Sequence, residues 1–523
     1  MPTPWSRRLA PLFALAAGLL AAAGVDAQTR PDVVTIAQGQ LQGEVSGDVA
    51  SFKGIPYAAA PVGPLRWRPP AAAPTWTGAR PATAFGPACM QPTDHPAEVS
   101  EDCLTLNVWA PAAPPPGGKA PVMVWIHGGA FVWGSGASPF YDGTHFAQRG
   151  VVLVTINYRL GRFGFFAHPA LTAADPLGPL GNYGLMDQIA ALKWVQANIA
   201  AFGGDPANVT VAGESAGAIS IQYLMVSPMA RGLFAKAIIE SGFGRLAGAP
   251  MRGSAASAEA IGARVGAALG ITGDSPAALA ALRALPAEKL NVTPLGLSDP
   301  DIAAPMIDGK LVPQTIAAGF AAHLEERVPV LEGGNSWEAS LFPDIAKDPQ
   351  ATLAQLGPAR DAAVALYGGP ADPAKVAMDL TTDAAVIEPD RMIALALGRD
   401  GQDAFVYDFA YVPAARRAGV PGAAHGDEIM YVFDNLPAAP VAFAGRAIPA
   451  ATADDRRLAQ AMNAYWARFA ATGAPDSAGG VPWPRFTPAD QTVMVFGPDG
   501  PDPQPQFEKG RLDFLAAHAD AKP

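Results

Sequence analysis

The amino-acid sequence predicts an α/β protein built on a large, mostly parallel sheet. Strand-like apolar runs alternate with helical patterns for most of the 523 residues, the pattern of strand–helix–strand units. Two of those runs, 121–126 and 151–157, are apolar without alternation, as strands buried on both faces are. Between a short apolar run (208–212) and a helical one (218–225) stands Gly213-Glu214-Ser215-Ala216-Gly217. That order describes a sharp strand-to-helix turn whose glycines let two backbone segments pass closely beneath an exposed serine hydroxyl.

The remaining elements follow along the chain. Arg7-Arg8 precede an apolar run from Leu9 to Val25, and small residues at Val25 and Ala27 suit cleavage before Gln28. Residues 1–27 thus read as a secretory signal peptide, and the chain is expected to be secreted or periplasmic. No later segment has about 18 uninterrupted apolar residues, so no membrane anchor is expected. Cys89 and Cys103 are the only cysteines. In an exported chain, a lone pair this close in sequence fits a disulfide better than a metal site. Such a link would stabilise by roughly 3 kcal/mol through the unfolded state.

Leu185, Ile189, Leu192, Val195 and Ile199 fall at helical spacing after Gly184, and 235–240 reads as a further strand. The Ala-rich stretch 254–287 reads as helices with no central strand, an insertion over one end of the sheet. Strands are then expected at 327–331, 404–408 and 492–496. Leu458, Met462, Tyr465 and Phe469 mark a late helix that stops at Gly473.

Length alone allows about three domains. No repeat or long linker divides the chain, so one large domain with long insertions is equally open. The net charge of −11 and a pI near 5.1 argue against nucleic acid, which calls for basic patches.

A serine hydroxyl becomes a useful nucleophile when a base takes its proton. In a serine elbow on an α/β sheet the chain order is serine, acid, histidine. Only His323, His425 and His518 follow Ser215. His323 leaves little room for an acid on a separate strand end, and His518 lies in a polar tail. His425, in a loop after the 404–408 strand, is therefore the expected base. The acid must lie between, and Glu338 follows the glycine turn after 327–331; spacing leaves Glu332 and Asp344 open. His127-Gly128-Gly129-Ala130-Phe131 directly follows a strand, and its backbone can turn N–H groups toward one point. With the N–H of Ala216, it is the expected holder of an oxyanion.

With these residues in hand, the chain resembles the type-B carboxylesterases, which include bacterial p-nitrobenzyl esterases and the cholinesterases. The likeness runs from about 33 to 510. Its marks include Phe52-Lys-Gly-Ile-Pro-Tyr57, Leu65-Arg-Trp-Arg-Pro-Pro70 and Glu101-Asp-Cys-Leu-Thr-Leu-Asn-Val108. Asn157-Tyr-Arg159, Gly181-Asn-Tyr-Gly-Leu-Met-Asp187, Phe202-Gly-Gly-Asp-Pro206 and His425-Gly-Asp-Glu428 continue it, beside the two glycine motifs above. The resemblance implies the α/β-hydrolase fold over a single domain, 28–523, and a Ser215–Glu338–His425 triad. It implies an oxyanion hole of Gly129, Ala130 and Ala216, a Cys89–Cys103 disulfide, and no metal or cofactor. It makes Ser241 a support of the triad acid, and Glu214 an electrostatic neighbour of the nucleophile. Trp337 and Ala339 depart from the aspartate and glycine usual beside that acid. The short Cys89–Cys103 loop lacks the tryptophan that binds quaternary ammonium, which disfavours choline esters.

The implied activity is hydrolysis of small-molecule carboxylic esters through an acyl-enzyme. Amide, carbamate or thioester cleavage is the alternative on the same residues, and a non-catalytic binding protein on the same fold the remoter one. The insertions near 245–325 and 340–400, apolar in composition, point to small or medium uncharged esters. Activity is expected to fall as pH drops through an imidazole pKa of about 6.5.

Overall fold

The computed structural model describes residues 32–92, 98–113, 117–178, 180–291, 303–443, 445–476 and 479–519. The leader expected at 1–27 lies outside them. An eleven-stranded sheet forms the centre. In chain order its strands are β1 (Glu44–Ser46), β2 (Val49–Pro56), β3 (Thr105–Pro111), β4 (Ala120–Ile126), β5 (Val152–Ile156) and β6 (Gly204–Glu214). β7 (Lys236–Glu240), β8 (Val330–Asn335), β9 (Ala404–Phe409), β10 (Val493–Gly497) and β11 (Gly500–Gln504) complete it. Their spatial order is β11-β10-β9-β8-β7-β6-β4-β5-β3-β2-β1. Every pair from β10 to β5 is parallel, and antiparallel strands close both edges. This is the mostly parallel sheet expected.

The unbroken apolar runs are explained by burial on both faces. Along β4, Val122, Val124 and Ile126 join one core cluster, while Met123 and Trp125 join the cluster on the opposite face. Helices cover both sides. Among them are α1 (Tyr183–Asn198), α2 (Ala216–Val226), α3 (Glu388–Arg399) and α4 (Ala453–Thr472). A reciprocal capping box of Thr452 and Asp455 starts α4, and Gly473 ends it at φ 80°, the left-handed value glycine adopts without cost. The Ala-rich insertion forms the helices Ala258–Ala268, Pro276–Arg283 and Ala287–Leu290, with no strand in the central sheet. Cys89 and Cys103 are joined in a disulfide with Cα atoms 5.0 Å apart.

One strand departs from expectation. β8 begins at Val330 rather than 327 and runs on through Gly333 and Gly334, glycines that read in sequence as a turn. The β9 backbone passes so close that a Cβ at 333 would stand 2.2 Å from the Tyr407 carbonyl oxygen. The glycines are therefore strand interior, and Glu332 lies mid-strand, fully buried.

Candidate active site

Ser215 sits between β6 and α2 with φ 55° and ψ −119°, a positive-φ conformation that is costly for a residue with a side chain. Two backbone hydrogen bonds hold it there: Ser215 N–H donates to the Glu240 carbonyl (2.9 Å), and Ile219 N–H donates to the Ser215 carbonyl (2.8 Å). The flanking glycines are needed sterically. A Cβ at 213 would lie 2.6 Å from the Ile126 carbonyl oxygen, and one at 217 only 1.9 Å from it.

The glycine turn after β4 lies directly against this elbow. A Cβ at Gly128 would stand 2.5 Å from Glu214 Oε2 and 3.1 Å from Ser215 Cβ. Gly129, Ala130 and Phe131 follow at φ 106°, 52° and 64°. Neither the Gly129 nor the Ala130 N–H has an acceptor among the described residues. Ala216, first in α2, has an N–H with no partner within the helix. His127 stacks on Tyr158 (4.5 Å between ring centroids), and the Tyr158 hydroxyl donates to the His127 carbonyl (2.9 Å). Burial lowers the His127 pKa to about 4, so the ring is neutral and its Nδ1–H can donate to the Gly128 carbonyl 2.8 Å away.

Glu338 follows β8 and is wholly buried. Its Oε1 accepts from the Ser241 hydroxyl (2.6 Å) and the Asn335 N–H (2.8 Å). Its Oε2 lies 2.5 Å from His425 Nδ1. The other two acids that spacing left open are elsewhere. Glu332 is inside β8, where burial pushes its pKa far up and neither oxygen finds a partner among the described residues. Asp344 is 88% exposed and pairs with Lys347.

His425 is fixed from three sides. Its N–H donates to the Ser340 hydroxyl (3.0 Å), its carbonyl accepts from Arg446 Nη2 (2.8 Å), and its ring is held by Glu338. The other ring nitrogen, Nε2, lies 3.0 Å from Glu214 Oε1 but is not aligned as a hydrogen bond, leaving Nε2 without a partner. Burial opposes a charge on this ring. The carboxylates of Glu338 and Glu214 outweigh it and raise the pKa to about 9, well above the ordinary value assumed from sequence. Burial likewise raises Glu214 to about 7, His425 pulling the other way.

Trp337, flagged in sequence as a departure, donates its N–H to the Ala423 carbonyl (2.9 Å) and bridges to Ala424, tying the Glu338 loop to the His425 loop. Ala339 is buried, its N–H on Thr382 Oγ1 (3.1 Å). Asn335, Ser340 and Arg446 were not singled out from sequence. Asn335 also donates from Nδ2 to the Ala424 carbonyl (2.9 Å) and to Glu428. Only its place at the end of a strand before an acid could have drawn attention to it.

The carboxylesterase family model matches residues 30–361 and 368–514. A fumonisin B1 esterase of Sphingopyxis macrogoltabida is 40% identical over 496 residues, spanning 90% of this chain and 88% of that protein. A para-nitrobenzyl esterase of Bacillus subtilis is 36% identical, spanning 88% of this chain and 94% of that one. Among solved structures, a PNB esterase superposes with TM-score 0.76 at 33% identity, over 93% of this chain and all of that one. A carboxylesterase of Geobacillus stearothermophilus gives 0.77 at 34% identity, over 92% and 99%. The fold is the α/β-hydrolase fold.

Proposed function

The chain belongs to the carboxylesterase family and is a carboxylic ester hydrolase, and from that premise we propose that Ser215, His425 and Glu338 carry the reaction. The observation that bears most weight is the 2.5 Å link from Glu338 to His425 Nδ1, which leaves Nε2 unpartnered beside the serine elbow. Glu338 fixes the imidazole and stabilises its charged form. Nε2 takes the proton of Ser215 as its hydroxyl attacks the ester carbonyl. The N–H groups of Gly129, Ala130 and Ala216 receive the developing oxyanion. Removing one such donor in other hydrolases costs roughly 3–4 kcal/mol of transition-state stabilisation. The imidazolium then protonates the leaving alcohol, and water repeats the sequence on the acyl-enzyme. Ser241 and Asn335 hold the far oxygen of Glu338, so its carboxylate cannot swing away.

Ser215→Ala should lower kcat for p-nitrophenyl acetate by up to about a millionfold and abolish labelling by a fluorophosphonate. A variant that kept most of its rate would overturn this assignment. The names of the relatives point to two bulky esters, of fumonisin B1 and of p-nitrobenzyl alcohol, and both belong in the substrate panel. Matched amides, carbamates and thioesters in the same panel test the alternative acyl bonds.

Residues 1–27 are proposed as a cleaved leader and 28–523 as one exported domain. The Cys89–Cys103 disulfide suits an oxidising compartment, and no described helix is long and apolar enough to cross a membrane. An N-terminus at Gln28 on protein recovered from the periplasm or medium is the expected result; retention of Met1 there would refute it.

A further inference from the structure

At the opposite end of β8 and β9 from the serine elbow, three side chains with metal-binding chemistry meet. His323 and Glu325 lie in the segment entering β8, and Asp400 follows α3 just before β9. One ligand atom from each, a ring nitrogen and two carboxylate oxygens, all fall within 4.8 Å of one another. His323 Nδ1 is 2.7 Å from Asp400 Oδ2. The Glu325 carboxyl lies against that of Asp400.

Two carboxyl groups in contact need either a shared proton or a cation between them. Glu325 is only 4% exposed. Its Oε1 accepts from Gln402 Nε2 (2.9 Å), whereas its Oε2 is buried with no partner. A buried, unpaired carboxylate oxygen is expensive to maintain. Nearby cations meet this charge only in part: His323 and, after it, Arg327 favour the charged form of Asp400, and neither pairs with Glu325 Oε2. Arg327 spends Nη2 on the Asp400 backbone carbonyl, and among the described residues neither arginine nor lysine comes within ion-pairing distance of either carboxylate. Arg399 lies farther off and acts on His323. The open approach is on the side of His323, whose side chain is 61% exposed.

We propose that His323, Glu325 and Asp400 form a divalent-cation site of the Zn2+ type, with water completing the coordination. One imidazole and two carboxylates suit Zn2+, and ligand atoms about 2 Å from the ion stand roughly 3.3 Å apart in a tetrahedron. That spacing needs the 2.7 Å pair to open slightly and the longest separation to close. Gln402 is already placed to orient Glu325 from behind, as outer hydrogen bonds orient metal ligands. The ion would clamp the turn entering β8 to the turn entering β9. A six-residue strand, about 20 Å long, separates it from Glu338, so its role is structural. This departs from the expectation that the chain holds no metal, and it is independent of how the ester is cleaved.

The test is calorimetric titration of the EDTA-treated, dialysed protein with Zn2+ alone, with the melting temperature followed in parallel. Expected are one saturable site per chain and a rise in Tm with Zn2+. His323→Asn, chosen because asparagine tolerates the left-handed backbone at 323 (φ 55°), should weaken binding by roughly tenfold or more, as should Glu325→Gln. Unchanged p-nitrophenyl acetate hydrolysis by His323→Asn confirms an intact fold. No saturable binding, or equal binding in both variants, identifies a hydrogen-bonded His–Asp pair over a protonated glutamate and overturns the site.

Discussion

Two carboxylates flank one imidazole, and they do different work. Glu338 touches Nδ1 and is tied down by Ser241 and Asn335, whereas Glu214 faces Nε2, the nitrogen that must receive the serine proton. Both negative charges favour imidazolium, and together they hold His425 near 9. Since the base acts only when neutral, kcat/KM should still be rising between pH 7 and 9. Glu214→Gln removes one of the two charges while keeping the volume. Its acid limb should move down by roughly one pH unit, because the imidazolium loses part of its stabilisation. A pH–rate profile for p-nitrophenyl acetate reads this directly. A limb that stays put, or moves up, would show that Glu214 is protonated throughout and contributes no field.

At the scale of elements, the elbow and the glycine turn are one steric unit. The β4 carbonyl of Ile126 leaves no room for a side chain at 217: the added Cβ would meet that oxygen at 1.9 Å and its carbon at 2.8 Å, both backbone atoms. Gly217→Ala must therefore push α2 away from β4 and carry Ser215 with it. A displacement near 1 Å can cost about a hundredfold in rate, so kcat should fall at least that far, with a lower Tm. Wild-type kinetics in this variant would mean the elbow has slack that these contacts deny. This unit was readable in the sequence, because glycines with fixed spacing between apolar runs have few other uses. The late helix was equally readable, from its spacing and its glycine stop. β8 was misjudged because Gly333 serves the close passage of a neighbouring strand and Gly334 the close packing of Val386 and Glu338, which no local pattern records. Asn335, Ser340 and Arg446 were invisible for a related reason. The partners of their side chains lie 85 or more residues away in the first two cases, and Arg446 bonds the histidine's backbone rather than its ring.

At the scale of the whole molecule, the fold buries acids whose ionised form burial disfavours, Asp383 among them even though Arg511 pairs with it. Burial raises Glu240 to about 8 and Asp383 and Asp408 to about 7, and it pushes Glu332, Asp390 and Glu428 well up. In the unfolded chain all of them ionise near pH 4. The stability each contributes is fully present below that value and is lost as pH rises to its folded pKa, for Glu240, Asp383 and Asp408 across about pH 4 to 8. His425 acts in the same sense, its contribution disappearing between about 6.5 and 9 as the ring deprotonates. His127 opposes them on the acid side: its pKa is lowered to about 4, so its contribution is present above about 6.5 and lost as pH falls. Net charge is already −11 at neutrality, and further ionisation adds self-repulsion. Stability should therefore peak on the mildly acidic side and decline toward pH 9, while the rate climbs over that same span as His425 becomes neutral. Melting temperatures and initial rates measured on one buffer series from about pH 5 to 9 would display the two trends crossing. A Tm that holds level or rises through that range would mean the buried acids are relieved by ionised partners or water, and would remove the basis for the opposition.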